Sequence, residues 1–228
     1  MSLKDFFFPK VCLGCSYLGA YICPKCQKKL KYLEKETCFF CKKPSPFGLT
    51  HFSCQKKHYP NGIMAIFYYN NLLKKIIKAT KYQFATEVLK ELFAIVDPKK
   101  IEKLSFLSDF KNAAFQPIPL HPHKERQRGF NQAKLITFFF QKFLPFPKVD
   151  YLQRKKETKP QAEIKDRKKR YLNIRGAFLL NPKTKVDKDK TIIVVDDVIT
   201  TGLTALEAVK TFKRKGFEKV FVLTLAKA

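Results

Sequence analysis

Residues 191–204 read TIIVVDDVITTGLT, and the elements of the fold follow from this stretch. The continuous β-branched run at 192–195 is typical of a strand that is buried on both faces of a parallel sheet. Apolar residues then recur at the spacing of a buried helix face, namely Leu203, Leu206, Val209 and Phe212. Gly216 stands where such a helix would end, and Val220–Leu225 is a second apolar run. A strand, a helix and a strand in this order predict a parallel sheet with flanking helices, an α/β fold.

The turn between the first strand and the helix carries the chemistry. Ligands of open parallel sheets bind at the carboxyl ends of the strands. Hydroxyls and backbone N–H groups at the start of the helix come from Thr200, Thr201, Gly202 and Thr204. These groups suit a phosphate, and a glycine lets the backbone approach it closely. Asp196 and Asp197 would repel a phosphate, so we expect them to accept hydrogen bonds from a vicinal diol. The combination describes a ribose 5-phosphate.

The segment VVDDVITTGLT at 194–204 resembles the phosphoribosyl-pyrophosphate motif of type I phosphoribosyltransferases. The resemblance implies that Asp196 and Asp197 hold the ribose 2- and 3-hydroxyls and act as the catalytic pair. It also implies a loop for the 5-phosphate, formed by Thr200, Thr201, Gly202, Leu203 and Thr204. A reaction of this class substitutes the anomeric carbon, releases pyrophosphate and uses Mg²⁺ bound with phosphoribosyl pyrophosphate.

Further motifs resemble the ComF family of competence proteins over nearly the whole chain. They are PIPLH at 117–121, RGFNQA at 128–133, Gln161 and NIRGAF at 173–178. Such proteins combine an N-terminal zinc ribbon with a phosphoribosyltransferase domain and are associated with natural transformation. The resemblance implies that Arg128 and Asn131 contact the ligand near its pyrophosphate.

Residues 154–170 carry nine basic and three acidic side chains and show no apolar period. The pattern predicts a solvated loop, and a plain charged surface segment is the alternative. The family resemblance makes this loop a candidate hood over the site, with Arg154, Lys155 and Arg167 on the phosphates. His121 and His123 lie near the proposed site in sequence. A lone histidine is more often a packing or surface residue, so we do not assign them as catalytic.

All seven cysteines lie within the first 54 residues. Two Cys-x2-Cys pairs that face each other place four thiolates around one tetrahedral zinc ion. The first such set consists of Cys12, Cys15, Cys23 and Cys26. The second set, Cys38, Cys41 and Cys54, needs a fourth ligand, for which we predict His51 with His58 as the alternative. An interleaved pairing stays open, because spacing alone does not decide it.

The odd number of cysteines argues against a framework of disulfides, and so does the reducing cytoplasm, which is the compartment that we expect for this chain. A closed ligand shell predicts one or two structural zinc ions rather than a catalytic one. We therefore divide the chain into a zinc-ribbon module at 1–60 and a phosphoribosyltransferase-like domain at 61–228.

The composition limits the partners. The net charge of +27 on 228 residues favours a polyanionic partner, and single-stranded DNA is the one we predict. No apolar run approaches the ~20 residues of a membrane span, and the start lacks the apolar stretch of a secretory signal, so we expect a cytoplasmic protein. A DNA-uptake helicase is a possible further partner.

Two functions follow from these patterns. The first is a phosphoribosyl-pyrophosphate-binding factor of DNA uptake that also holds single-stranded DNA. The second is a salvage phosphoribosyltransferase that acts on a free nucleobase. The zinc module and the charge favour the first, because a salvage enzyme requires neither. The sequence does not name the acceptor.

Overall fold

The computed structural model describes residues 9–81, 85–158, 164 and 166–228. Its centre is a four-stranded parallel sheet with the strand order β1-β6-β5-β2. These strands are β1 Gly62–Tyr68, β2 Ala113–Pro117, β5 Thr191–Ile199 and β6 Val220–Lys227. A small antiparallel pair consists of β3 Leu152–Arg154 and β4 Phe178–Leu180. The predicted parallel sheet is confirmed.

Helices cover both faces of the sheet. In the described part of the chain they are α1 Pro24–Gln27, α2 Asn71–Ala79, α3 Ala85–Ala94, α4 Lys99–Glu102, α5 Pro122–Arg128, α6 Gln132–Phe140, α7 Arg167–Ile174 and α8 Leu203–Arg214. Strand β5 shows why both faces are apolar. Ile193 and Val195 pack in one core with α2, α3 and α6, whereas Ile192 and Val194 pack in the other with α7 and α8. Successive strand side chains point to opposite faces, so a fully buried strand has no polar positions along this run.

The structure corrects two details of the sequence prediction. The acids of the DDVITTG segment do not follow the strand, because β5 continues through Ile199 and includes them. The charged segment 154–170 is not loop throughout. Its start belongs to β3 and its end begins helix α7, which Asp166 caps by accepting a hydrogen bond from the backbone N–H of Lys169.

The cysteine-rich segment packs directly on the free edge of β1. The backbone N–H of Leu33 donates to Ile66 O at 2.8 Å, and that of Tyr68 donates to Lys31 O at 2.9 Å. Cys26 lies in the same core as helix α2. The Glu91 carboxylate on α3 accepts from two backbone N–H groups of this segment, at 3.1 and 2.7 Å. The segment is therefore joined to the sheet by hydrogen bonds as well as by apolar packing. None of the described helices has the length and apolar character that crossing a bilayer requires.

Candidate functional site

A cavity of about 450 Å³ opens at the carboxyl end of strand β5. The structure brings together around it all nine residues that the sequence singles out for sugar-phosphate binding. They are Arg128, Asn131, Asp196, Asp197, Thr200, Thr201, Gly202, Leu203 and Thr204. Parallel strands place their carboxyl ends at one edge of the sheet, so residues that are distant in sequence meet there.

Local hydrogen bonds fix the two acids at the end of β5. One carboxylate oxygen of Asp196 accepts from the backbone N–H of Asp197 at 2.9 Å, and one of Asp197 accepts from that of Val198 at 2.7 Å. Burial and the neighbouring charge of Asp197 raise the pKa of Asp196 to about 8, against the opposing effects of Arg154 and Lys81. The remaining lone pairs are available to hydroxyl donors in the cavity.

Basic residues surround the acids. The lining includes Lys74, Lys81, Lys124, Arg128, Arg154 and Arg170. Burial lowers the pKa of Arg154, the charge of Asp196 opposes this decrease, and the charge of Arg128 adds to it. The cavity thus combines a small acidic centre with a larger basic wall, which suits a ligand with one polyhydroxyl part and several anionic groups.

The threonine-glycine segment forms the entry of helix α8. Gly202 is the N-cap of this 12-residue helix and has φ +74°, a left-handed conformation that favours glycine. A Cβ atom at Gly202 would lie 2.8 Å from the ring of Phe39, so the side chain of the cysteine-rich segment holds the turn from behind. The first N–H groups of the helix have no partner within the helix itself and are therefore available to an anion.

The two polar residues of the RGFNQA motif differ in their surroundings. Arg128 ends helix α5, and Gly129 after it has φ +74° and terminates that helix. Asn131 is 3% exposed. Its side chain accepts from Ala133 N at 2.9 Å and donates to Ile118 O at 3.0 Å. Asn131 thus shapes the cavity wall through internal hydrogen bonds, while Arg128 presents a charge to the cavity.

Of the predicted hood contacts, Arg154 lines the cavity. Lys155 and Arg167 are exposed and stand outside the lining formed by the described residues. Gln161 lies outside the residues that the structure describes, as do its neighbours in 159–163. The described part of the cavity wall likewise lacks both histidines, and His123 Nδ1 lies 3.0 Å from a Glu157 carboxylate oxygen instead.

Sequence reasoning missed Tyr69, Lys74 and Lys81, which line the cavity from the end of β1 and from helix α2 and its C-terminal end. Burial and the charge of Asp197 raise the pKa of Tyr69, so its hydroxyl stays protonated near that acid. Lys74 stands on the polar side of amphipathic helix α2 and Lys81 lies two residues beyond its end. In sequence, a solvated lysine at such a position looks the same as one that faces a ligand. A usable signal existed for Tyr69 alone, which directly follows strand β1 of the parallel sheet.

The first cysteine set gathers as predicted. Cys12, Cys15, Cys23 and Cys26 place their sulfur atoms within 4.8 Å of one another. Burial tends to raise the pKa of Cys12, but backbone N–H groups around the sulfur outweigh it and lower the pKa to about 6. Burial and the adjacent sulfurs raise the pKa of Cys26 to about 12. Four clustered thiolates repel one another unless a cation lies between them, so this set suits a structural zinc ion.

The second set is Cys38, Cys41, His51 and Cys54, again with the ligand atoms within 4.8 Å. His51 Nδ1 lies 3.2 Å from Cys41 Sγ, and its Nε2 lies 3.0 Å from Pro44 O. A hydrogen bond from Nε2–H to this carbonyl leaves Nδ1 unprotonated and turned toward the sulfurs, which is how ligating histidines are oriented. His58, the alternative, does not belong to this set. The grouping is sequential rather than interleaved, and both sets suit structural zinc.

Comparisons with known proteins agree with this architecture. The family model described as the phosphoribosyl transferase domain matches residues 141–228, so the C-terminal part of the chain is a phosphoribosyltransferase-like domain. The chain is 28% identical to competence protein F of Haemophilus influenzae over 91% of its own length and 90% of that protein. It is 24% identical to competence protein ComFC of Bacillus subtilis and 26% identical to that of Streptococcus pneumoniae. Those matches cover 86% and 92% of this chain and 79% and 82% of the relatives. The resemblance to the ComF family is confirmed.

Proposed function

We propose that the chain binds phosphoribosyl pyrophosphate and acts in DNA uptake during natural transformation, in the cytoplasm. One observation carries this proposal. Two acids, a glycine-capped helix start and six basic side chains converge on one cavity at the carboxyl end of the sheet. The process, natural transformation, is proposed from the names of the relatives, which are competence proteins. A DNA-uptake helicase is the protein partner that we propose for this process.

In this proposal, different residues bind different parts of phosphoribosyl pyrophosphate. Asp196 and Asp197 accept hydrogen bonds from the two ribose hydroxyls, and the start of α8 holds the 5-phosphate. Arg128 and Arg154 stabilise the charge of the pyrophosphate as it leaves the anomeric carbon, because oriented cations in a desolvated site favour developing negative charge. Mg²⁺ held with the ligand would supply Lewis-acid activation. The acceptor provides the nucleophile, so no nucleophilic side chain is required.

Calorimetry with phosphoribosyl pyrophosphate and Mg²⁺ tests the site. The wild type should bind, and the variant D196A/D197A should lose binding while its circular dichroism stays unchanged. The variant D109A/D189A is the matched control, because it removes two exposed acids that do not line the described cavity. Unchanged binding by D196A/D197A would refute the assignment. A screen for pyrophosphate release with DNA, nucleotides and free bases would then identify an acceptor.

We further propose that single-stranded DNA binds to the basic surface. Displacement of counterions from the DNA predicts that log K falls linearly with log salt concentration, by ~0.7 per phosphate contacted on a single strand. A salt series with an oligonucleotide therefore measures the number of contacts. Turnover of a free nucleobase, with no oligonucleotide binding at low salt, would instead favour the salvage enzyme.

A further inference from the structure

A second cavity, of about 410 Å³, lies beside the start of helix α8. We name it the lysine-tyrosine groove. Its apolar floor is formed by Leu203 and Leu206, and its walls come from residues 56–59 and from Tyr171 on helix α7. Leu203 also lines the cavity at the carboxyl end of strand β5, which we call the sugar-phosphate cavity after its proposed ligand. The two cavities therefore meet at this residue. The sequence motifs and the proposed function make no use of the groove.

The walls of the groove are aromatic. The ring of Tyr59 stacks on Phe40 with a centroid separation of 4.1 Å and an interplanar angle of 8°, which fixes its orientation. Lys56 Nζ lies 5.7 Å from the centroid of the same ring. Tyr171 is 39% exposed. An exposed ring such as that of Tyr171, next to a second ring of fixed orientation, suits the stacking of a nucleobase. Such stacking tolerates any base because every base has a π face.

The rim of the groove is basic. Lys57 and Lys210 line it, while Glu207, the one acid in the lining formed by the described residues, is 7% exposed. The Glu207 carboxylate accepts from the backbone N–H of Gly176 at 2.7 Å and lies 3.9 Å from Lys210 Nζ. The Glu207 carboxylate is thus buried and hydrogen-bonded within the protein, and the exposed charge of the groove is positive. Lysines around a stacking surface match the alternation of bases and phosphates along a single strand.

We propose that the lysine-tyrosine groove binds one nucleotide unit of single-stranded DNA. The base stacks against the tyrosines, and the flanking phosphates lie on Lys57 and Lys210. The strand then passes beside the start of α8, next to the sugar-phosphate cavity. This inference rests on the proposed binding of single-stranded DNA and assigns the place where it occurs.

Fluorescence anisotropy with a labelled oligo(dT) across a salt series tests the groove. The variant K57Q/K210Q should bind about tenfold more weakly at 0.1 M salt, and the slope of log K against log salt should shrink by ~1.4. K75Q/K142Q is the matched control, because it removes the same charge from two exposed lysines on the opposite face of the sheet, one on helix α2 and one in the turn after helix α6. It should leave the slope unchanged.

Stacking is tested separately from charge. Y171A should lower the affinity about tenfold with an unchanged salt slope, whereas Y171F should retain wild-type affinity because it keeps the ring. Free dTMP should compete only weakly, since it lacks the neighbouring phosphates. Competition by dTMP as strong as that by the oligonucleotide would refute binding of a DNA strand in the groove and would indicate a mononucleotide pocket.

The remaining outcomes separate this inference from the proposed function. If K57Q/K210Q and K75Q/K142Q lose affinity for oligo(dT) equally, and Y171A keeps the wild-type affinity, DNA binds elsewhere on the protein. The groove would then be rejected and the proposal of DNA binding retained. No binding of oligo(dT) by the wild type at low salt would reject both the groove and the DNA proposal. Calorimetry with phosphoribosyl pyrophosphate stays independent of either result.

Discussion

Asp196 is a carboxyl group in an unfavourable position for its charge. It is adjacent to a second acid and desolvated, and its pKa is raised to about 8. In the ligand-free protein at neutral pH this group therefore holds a proton. Accepting hydrogen bonds from a diol next to a basic wall favours the anion, so binding of the sugar phosphate should release a proton and strengthen as the pH rises toward 8.

The raised pKa of Asp196 also predicts how stability depends on pH. Its folded-state pKa exceeds the ordinary value of 3.8, so the folded state binds more protons than the unfolded state between about pH 4 and pH 8. Its contribution to the free energy of unfolding is complete below pH 4 and is lost as the pH rises through 8. D196N should remove this loss and be more stable than the wild type at pH 8.5. Urea unfolding at pH 5 and pH 8.5 measures the difference, and parallel pH profiles would contradict the prediction.

At the scale of elements, the turn from β5 into α8 depends on a contact outside the phosphoribosyltransferase-like domain. Phe39 is 9% exposed, and its ring lies behind Gly202. Lys42 Nζ lies 4.4 Å from the centroid of the same ring. The shape of the turn at 200–202 is therefore set jointly by its own glycine and by the ring of Phe39 from the cysteine-rich segment.

Substitution of Gly202 tests this joint control. G202A would place a side chain at φ +74° and a Cβ atom 2.8 Å from the ring of Phe39. In the free variant the loop should relax out of the left-handed conformation, and restoring it on binding costs roughly 1–2 kcal/mol. This cost corresponds to about tenfold weaker binding of phosphoribosyl pyrophosphate. F39L should relieve the steric part, so the double variant G202A/F39L should bind more tightly than G202A. Calorimetry checks both, and wild-type affinity in G202A would contradict the prediction.

The elements differ in how far the sequence predicts them. Strand β5, helix α8 and strand β6 are buried on known faces, so their apolar periodicity is regular and the prediction succeeds. Helix α7 begins with four basic residues in Arg167–Arg170, and Ile174 is its one buried residue, so no period was visible. That the two acids and the threonine-glycine turn meet at one cavity was predictable because they are contiguous in sequence. Tyr69 and Lys81 reach the same cavity only through the pairing of β1 with β6, which local sequence does not encode.

At the scale of the whole molecule, the proposed zinc ions support more than the segment that binds them. Cys12 and Cys26 lie in the core that contains helices α2, α3 and α6. Cys38 and Cys41 flank Phe39, whose ring lies against Gly202 at the start of helix α8. Lys227 near the end of β6 donates to Thr37 O at 3.0 Å, one residue before the second set. Loss of the second ion should therefore be detected at the sugar-phosphate cavity.

Removal of zinc tests this coupling. The wild type should release about two zinc ions per chain on chelation in urea, and H51A should hold about one, because His51 supplies the fourth ligand of the second set. H58A is the matched control and should hold two zinc ions.

Hydrogen exchange in H51A should increase both around Phe39 and at residues 200–206, since the ring that supports Gly202 is no longer fixed. The thermal midpoint should fall in H51A and remain near that of the wild type in H58A. Retention of two zinc ions by H51A would refute the ligand assignment, whereas loss of one ion with unchanged exchange at 200–206 would refute the coupling alone.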